Sequence, residues 1–251
     1  MALLQVKFFS NVLGKCVSME VCLPQTTNGQ IGMEGKAETT FPTLYLLHGM
    51  SDDETIWERR TSIERYATAK GIAVVMPTTE LGWYTDMECG YQKYYTFVAK
   101  ELPAVCRGFF RGMSDKREDT WIAGLSMGGY GALKIALNES ETFGKAAGLS
   151  GAYDICKYPE TPYWQSIFGE GDVRAKHTIR TAVEKLIAEN RPKPDLYICC
   201  GTEDGLLSAS RDTKALLEEN GFNVTYSESS GCHSWEFWDR EIQPILKWMT
   251  E

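Results

Sequence analysis

Ten residues constrain this chain more than any others: Trp121-Ile122-Ala123-Gly124-Leu125-Ser126-Met127-Gly128-Gly129-Tyr130. An apolar run, Thr120–Gly124, reads as a strand, and the Ala/Gly-rich run Gly128–Leu137 reads as a helix. Between them stands Gly-x-Ser-x-Gly, so the chain passes from strand to helix over a very short turn with Ser126 at its apex. Such a turn strains the serine backbone, and side chains at the flanking positions would strike neighbouring backbone. A helix starting at Met127 aims its free N-terminal N–H groups at the place where negative charge would develop. Strand, glycine-flanked serine and helix together are the context of a nucleophile elbow. A glycine-rich turn with an incidental serine is the bland alternative, and the flanking elements argue against it.

Apolar runs alternate with helical patterns along the rest of the chain, the sequence form of a mostly parallel sheet with helices on both faces. Val6–Phe9 and Val17–Leu23 read as an opening hairpin, and Thr26–Thr40 as a loop. Further strands are expected at Leu44–Leu47, Ile72–Met76, Ala146–Leu149, Leu196–Cys200 and Asn223–Ser227. Helices are expected at Trp57–Lys70, Tyr94–Phe110 with a kink near Pro103, Thr178–Glu189, Ser210–Asn220 and Trp235–Met249 with a kink at Pro244. Tyr153–Lys176, rich in Pro, Tyr, Trp and Gly, is expected to be irregular. The reading is one domain over residues 1–251, with a small cap segment at 153–177.

A serine nucleophile needs a base and an acid to orient that base. In folds with this elbow the chain order is serine, acid, histidine. Of the three histidines, His48 precedes Ser126 and reads as a buttress of its own loop. His177 sits in a polar run that looks like an exposed helix start. His233 follows the last expected strand, at the sheet edge where open α/β folds bind ligands, and is the candidate base. Asp204 is the chosen acid, because Cys200-Gly201-Thr202-Glu203-Asp204 directly follows a strand. Glu203 is its closest competitor and Asp154 a third. Leu46-Leu47-His48-Gly49-Met50 is the usual lead-in to an oxyanion loop, so the backbone N–H groups of Met50 and Met127 are the candidate donors. Trp83, Tyr84, Trp164 and Trp235 are candidates for the wall of a substrate pocket.

The formal net charge of −8 over 251 residues argues against a nucleic-acid binder. No run approaches the roughly 20 apolar residues of a membrane span. The start, MALLQVKFFSNVLGK, lacks the basic region and cleavage site of a signal peptide, and the chain reads as cytoplasmic. Eight cysteines without a CxxC pair read as free, mostly buried thiols in a reducing compartment, with no metal site.

The segments LLHGMSDDETIW, WYTDMECGYQKYYTFVAKELP, IAGLSMGGYGALKIAL, CGTEDGLL and GCHSWEFWDREIQPIL, in that order, resemble the tributyrin-esterase branch of the esterase D group. That group also holds feruloyl and acetylxylan esterases and S-formylglutathione hydrolases. The resemblance implies an α/β-hydrolase fold, a Ser126–Asp204–His233 triad, backbone donors at Met50 and Met127, short-chain acyl esters as substrates, no cofactor, and assembly as a homo-oligomer. The glutathione thioesterases usually carry a cysteine shortly after the His-Gly pair. Met50-Ser51-Asp52-Asp53 stands there instead, which weakens that reading. Feruloyl-type activity on plant polysaccharide fragments and an inactive hydrolase fold used for binding are the alternatives.

Overall fold

The computed structural model describes residues 1–33, 35 and 37–251. The expected loop Thr26–Thr40 includes positions 34 and 36, which lie outside the described residues.

One eight-stranded sheet runs through the protein in the order β1-β2-β4-β3-β5-β6-β7-β8. Its members are β1 (Ala2–Ser10), β2 (Lys15–Leu23), β3 (Thr43–Leu47), β4 (Ala73–Pro77), β5 (Thr120–Leu125), β6 (Lys145–Leu149), β7 (Asp195–Gly201) and β8 (Val224–Ser229). β1 and β2 pair antiparallel, and β2 meets β4 antiparallel. From β4 to β8 every pairing is parallel. Parallel strands need crossovers, so both faces are covered, and the central strands are apolar at nearly every position. On β3, Tyr45 and Leu47 enter one core layer while Leu44 and Leu46 enter the other. The period of two thus divides one continuous apolar run between two cores.

Helices α1 (Ile56–Arg60), α2 (Ile63–Lys70) and α10 (Trp235–Thr250) cover one face. The other face carries α3 (Tyr94–Thr96), α4 (Leu102–Phe109), α5 (Met127–Asn138), α6 (Pro162–Phe168), α7 (Asp172–Ala175), α8 (Ile179–Ala188) and α9 (Leu207–Glu219). This is the α/β-hydrolase architecture. Among the described residues, no helix is long and apolar enough to cross a membrane.

Three sequence expectations are corrected. The single helix expected over Trp57–Lys70 is two, because Thr61 turns extended at φ −136° and its hydroxyl accepts the Ile63 N–H. Side-chain hydroxyls compete with the helix ladder in this way. The helix expected over Tyr94–Phe110 runs unbroken to Phe109 but passes through a π turn at Phe97–Glu101, just before Pro103. Proline cannot donate to the carbonyl one turn back, and the wider turn absorbs that defect. The same turn presents Glu101, whose carboxylate accepts from Asn11 N–H (2.7 Å), Val12 N–H (3.2 Å) and the Ser10 hydroxyl, tying down the β1–β2 turn. Finally, Tyr153–Lys176 is not irregular. It holds a 3₁₀ turn at Ile155–Lys157 and then α6 and α7, with Pro162 in the first turn of α6.

Ile122 lies at the centre of β5, is wholly buried, and packs in the core beneath α5, whereas Leu3 on the edge strand is 48% exposed. Ile122→Ala is expected to cost about 2–5 kcal/mol of stability. Leu3→Ala is expected to stay within about 0.5 kcal/mol. Urea titration of both variants checks the contrast.

Candidate active site

Parallel strands leave all their C-terminal ends on one edge of the sheet. The loops after β3, β5, β7 and β8 therefore converge, and they carry His48–Met50, Ser126, Asp204 and His233. Ser126 sits between β5 and α5 at φ 52°, ψ −116°, a conformation rarely adopted by a side chain-bearing residue. Such strain costs roughly 1–3 kcal/mol and persists only where the surroundings over-determine it. They do so here: Ser126 N–H donates to Leu149 O (2.9 Å), and Ser126 O accepts from Tyr130 and Ala152 (both 3.1 Å). A Cβ on Gly128 would lie 2.6 Å from His48 O and 2.7 Å from Leu47 O. A Cβ on Gly124 would lie 2.5 Å from the Gly128 backbone. The two glycines let strand, turn and neighbouring loop close on one another.

His233 Nε2 stands 3.0 Å from Ser126 Oγ, and His233 Nδ1 stands 2.8 Å from Asp204 Oδ2. The Asp204 side chain is 1% exposed and its other oxygen accepts the Leu206 N–H at 2.8 Å. Burial works against its charge, but the bonds from His233, Leu206 and Ser150 outweigh that, and its carboxyl lies below the ordinary range. An ionised Asp204 holds the Nδ1–H tautomer and leaves Nε2 free to accept from Ser126. Met127 opens α5, so its N–H has no acceptor within the helix. Met50 N–H likewise has no partner among the described residues.

His48 is buried. Its Nδ1–H donates to Gly49 O (2.7 Å), Nε2 accepts the Thr79 N–H (3.0 Å), and its carbonyl accepts the Tyr84 hydroxyl (2.9 Å). Burial pushes its pKa below the usual histidine value, so the ring stays neutral and fixes the loop that leads to Met50.

Above Ser126 opens a cavity of about 390 Å³ lined by Met50, Trp83, Ala152, Tyr158, Trp164 and Leu206 around the three polar residues. Of the four aromatic wall candidates, Trp83 and Trp164 are there. Tyr84 and Trp235 are not, and both readings are corrected. Tyr84 is fully buried, with its hydroxyl on the carbonyl of His48. Trp235 packs edge-on against Trp57 and Trp238 on the other side of the sheet. Tyr158, Ala152 and Leu206 escaped the sequence reading. Leu206, two residues past Asp204, could have been found from that adjacency, and Tyr158 from the aromatic richness of its segment. Trp83 has φ 52°, and its indole N–H donates to Tyr163 (3.1 Å). Tyr158 stacks on Trp164 at 3.9 Å with an interplanar angle of 6°.

The competing acids lie elsewhere in role or place. Asp154 pairs with Lys157 at 2.8 Å on a separate groove. Glu203 is bonded to Gly231 rather than to His233. His177 does stand just before a helix, α8, but it is not exposed. Its side chain is 13% exposed and its Nε2 lies 2.9 Å from Glu88. Burial and the nearby Lys134 charge push His177 down to about 4, against the pull of Glu88.

Residues 10–249 match the family model "Putative esterase". An acetyl esterase of Caldicellulosiruptor saccharolyticus is 31% identical, with 100% of this chain and 99% of the relative covered. Among solved structures, the substrate-bound fluorophosphonate-binding serine hydrolase F of Staphylococcus aureus aligns with TM-score 0.88 and 31% identity, over 100% of this chain and 98% of that one. The S-formylglutathione hydrolase of the same organism aligns with TM-score 0.85 and 30% identity, over 100% and 99%.

Gly128→Ala forces a Cβ into two carbonyl oxygens, so it is expected to lower the thermal midpoint by several degrees, a loss of about 1–3 kcal/mol. Calorimetry against wild type checks it. Both His48 and His177 have folded pKa values below 6.5, the ordinary value. Each contribution to stability is full above 6.5 and is lost as the pH falls below it, for His177 down to about 4, because the unfolded chain takes up the protons first. Glu58, raised to about 7 by burial, contributes with the opposite sign over the same range, so the histidine effect is read as a difference: from neutral to acid pH the urea midpoint should fall less, or rise more, in His177→Gln than in wild type. Lys134, held down to about 7 by burial, titrates above the window.

Proposed function

The chain belongs to the esterase family, and from that premise we propose that it hydrolyses short-chain acyl esters through an acyl-enzyme on Ser126. One observation carries the reading: the unbroken run from Ser126 Oγ through the His233 ring to buried Asp204, with steps of 3.0 and 2.8 Å. His233 Nε2 takes the Ser126 proton as Oγ attacks the ester carbonyl. The oxyanion is met by the N–H groups of Met50 and Met127, each worth about 2.7–4 kcal/mol in the transition state. The imidazolium, stabilised by Asp204, gives its proton to the departing alcohol. Water then follows the same route and frees the acid. The chemistry needs neither metal nor cofactor.

The cavity supports a small acyl group. Its wall is largely apolar, and the 153–177 segment contributes Tyr158 and Trp164 to it. One face of Trp164 is taken by Tyr158, and Phe168 lies parallel to it at 6.1 Å. These stacked rings leave no slot between them for a planar acid, and the likeness to an acetyl esterase over the whole chain supports acetyl-type over feruloyl esters. Met50-Ser51-Asp52-Asp53 in place of a cysteine after His48-Gly49 disfavours a glutathione thioester. The eight cysteines, all free, support a reducing, cytoplasmic setting.

Hydrolysis of p-nitrophenyl acetate, butyrate and octanoate, with methyl ferulate alongside, tests the proposal. Acetate and butyrate should turn over fastest, and Ser126→Ala should lose at least about a thousandfold in kcat. An active Ser126→Ala variant would sink the assignment, and a preference for methyl ferulate would move the substrate to the aromatic acids.

A further inference from the structure

His233 is an exposed residue on a short loop between β8 and α10, yet its ring must stay within reach of Ser126. The loop contains Gly231, whose backbone stands at φ 151°. Without a Cβ, the peptide before it can turn over at little cost. That peptide is held at both its polar atoms. Its carbonyl, Ser230 O, accepts from the Arg240 guanidinium at 2.7 Å. Its N–H, on Gly231, donates to the Glu203 carboxylate at 2.5 Å. A positive group therefore grips the negative end of the peptide dipole and a negative group the positive end. Charge-assisted bonds of this kind are the stronger sort.

Each grip is itself braced. The Glu203 N–H donates to Gly231 O (3.1 Å), and the Thr202 hydroxyl donates to the other Glu203 oxygen (2.8 Å). Arg240 also donates to the Ser229 hydroxyl (2.9 Å) and to Glu241 (3.0 Å), and Ser229 donates to Glu241 (2.8 Å). Glu203 directly precedes Asp204, and Gly231 lies two residues before His233. The clamp thus joins the acid's loop to the base's loop.

We propose that Glu203 and Arg240 are positioning residues: by gripping the Ser230–Gly231 peptide from both sides they hold His233 Nε2 at hydrogen-bond distance from Ser126. The inference rests on His233 as the base. Displacing a catalytic group by about 1 Å can cost on the order of a hundredfold in rate. Glu203→Ala and Arg240→Ala should each lower kcat for p-nitrophenyl butyrate about 10–100-fold, with KM within about twofold of wild type. Glu203→Gln keeps an oxygen for the Gly231 N–H and should recover most of the lost rate. The double variant should lose less than the product of the two single losses, because both residues grip one peptide.

The proposal is overturned if Glu203→Ala and Arg240→Ala both keep kcat within about twofold, whether or not their thermal midpoints fall. It is also overturned if Glu203→Gln is as impaired as Glu203→Ala. Asp204→Asn and Ser126→Ala, assayed alongside, separate the two levels. If Asp204→Asn stays active while Glu203→Gln is dead, Glu203 is the acid and the triad reading itself fails.

Discussion

The close approach of α5 to the end of β3 is the constraint on which the rest of the site depends. Gly124 and Gly128 let the backbones touch with nothing between them, and the cost appears in the positive φ of Ser126. Because the contact is backbone on backbone, it places the serine and the His48–Met50 loop relative to each other with little freedom. Interiors packed at crystal density transmit such constraints rather than absorb them.

Around this contact the parallel sheet supplies the other groups without further invention. Strands β3, β5, β7 and β8 point the same way, so the loops that follow them meet at one edge. His48, deeply buried and neutral, spends both ring nitrogens and its carbonyl on fixing the loop behind Met50. A carboxylate and an imidazole then meet over a distance of 29 residues in sequence, one buried and one exposed. That asymmetry suits their proposed tasks: the acid needs a fixed place, and the base needs access to substrate.

The neighbouring acids Glu203 and Asp204 show how little separation is needed to divide roles. On the turn after β7, Asp204 is turned inward to His233, while Glu203 stays at the surface and takes a backbone N–H from the next loop. The cavity beside Ser126 takes Tyr158 and Trp164 from the segment between β6 and α8. The segment's aromatic rings stack on one another and meet Trp83 edge-on, beside a largely apolar cavity.

Much of this was legible in the linear sequence, for a physical reason. Gly-x-Ser-x-Gly between a strand and a helix is a local solution to a local steric problem, so it is written in adjacent residues. The apolar runs of β3 to β7 report burial on both faces, and they mark the parallel sheet. Other features depend on residues far apart in the chain. The choice among Asp204, Glu203 and Asp154 depends on where the β8–α10 loop passes. The roles of Tyr84 and Trp235 depend on which side of the sheet each ring meets. The break at Thr61 and the π turn before Pro103 are local compromises with packing that periodicity does not record. Sequence determined the elements and the chemistry of the elbow, because those follow from neighbours along the chain. Only the tertiary structure decided which side chains line the cavity and which brace it, because those contacts are made through space between loops far apart in the chain.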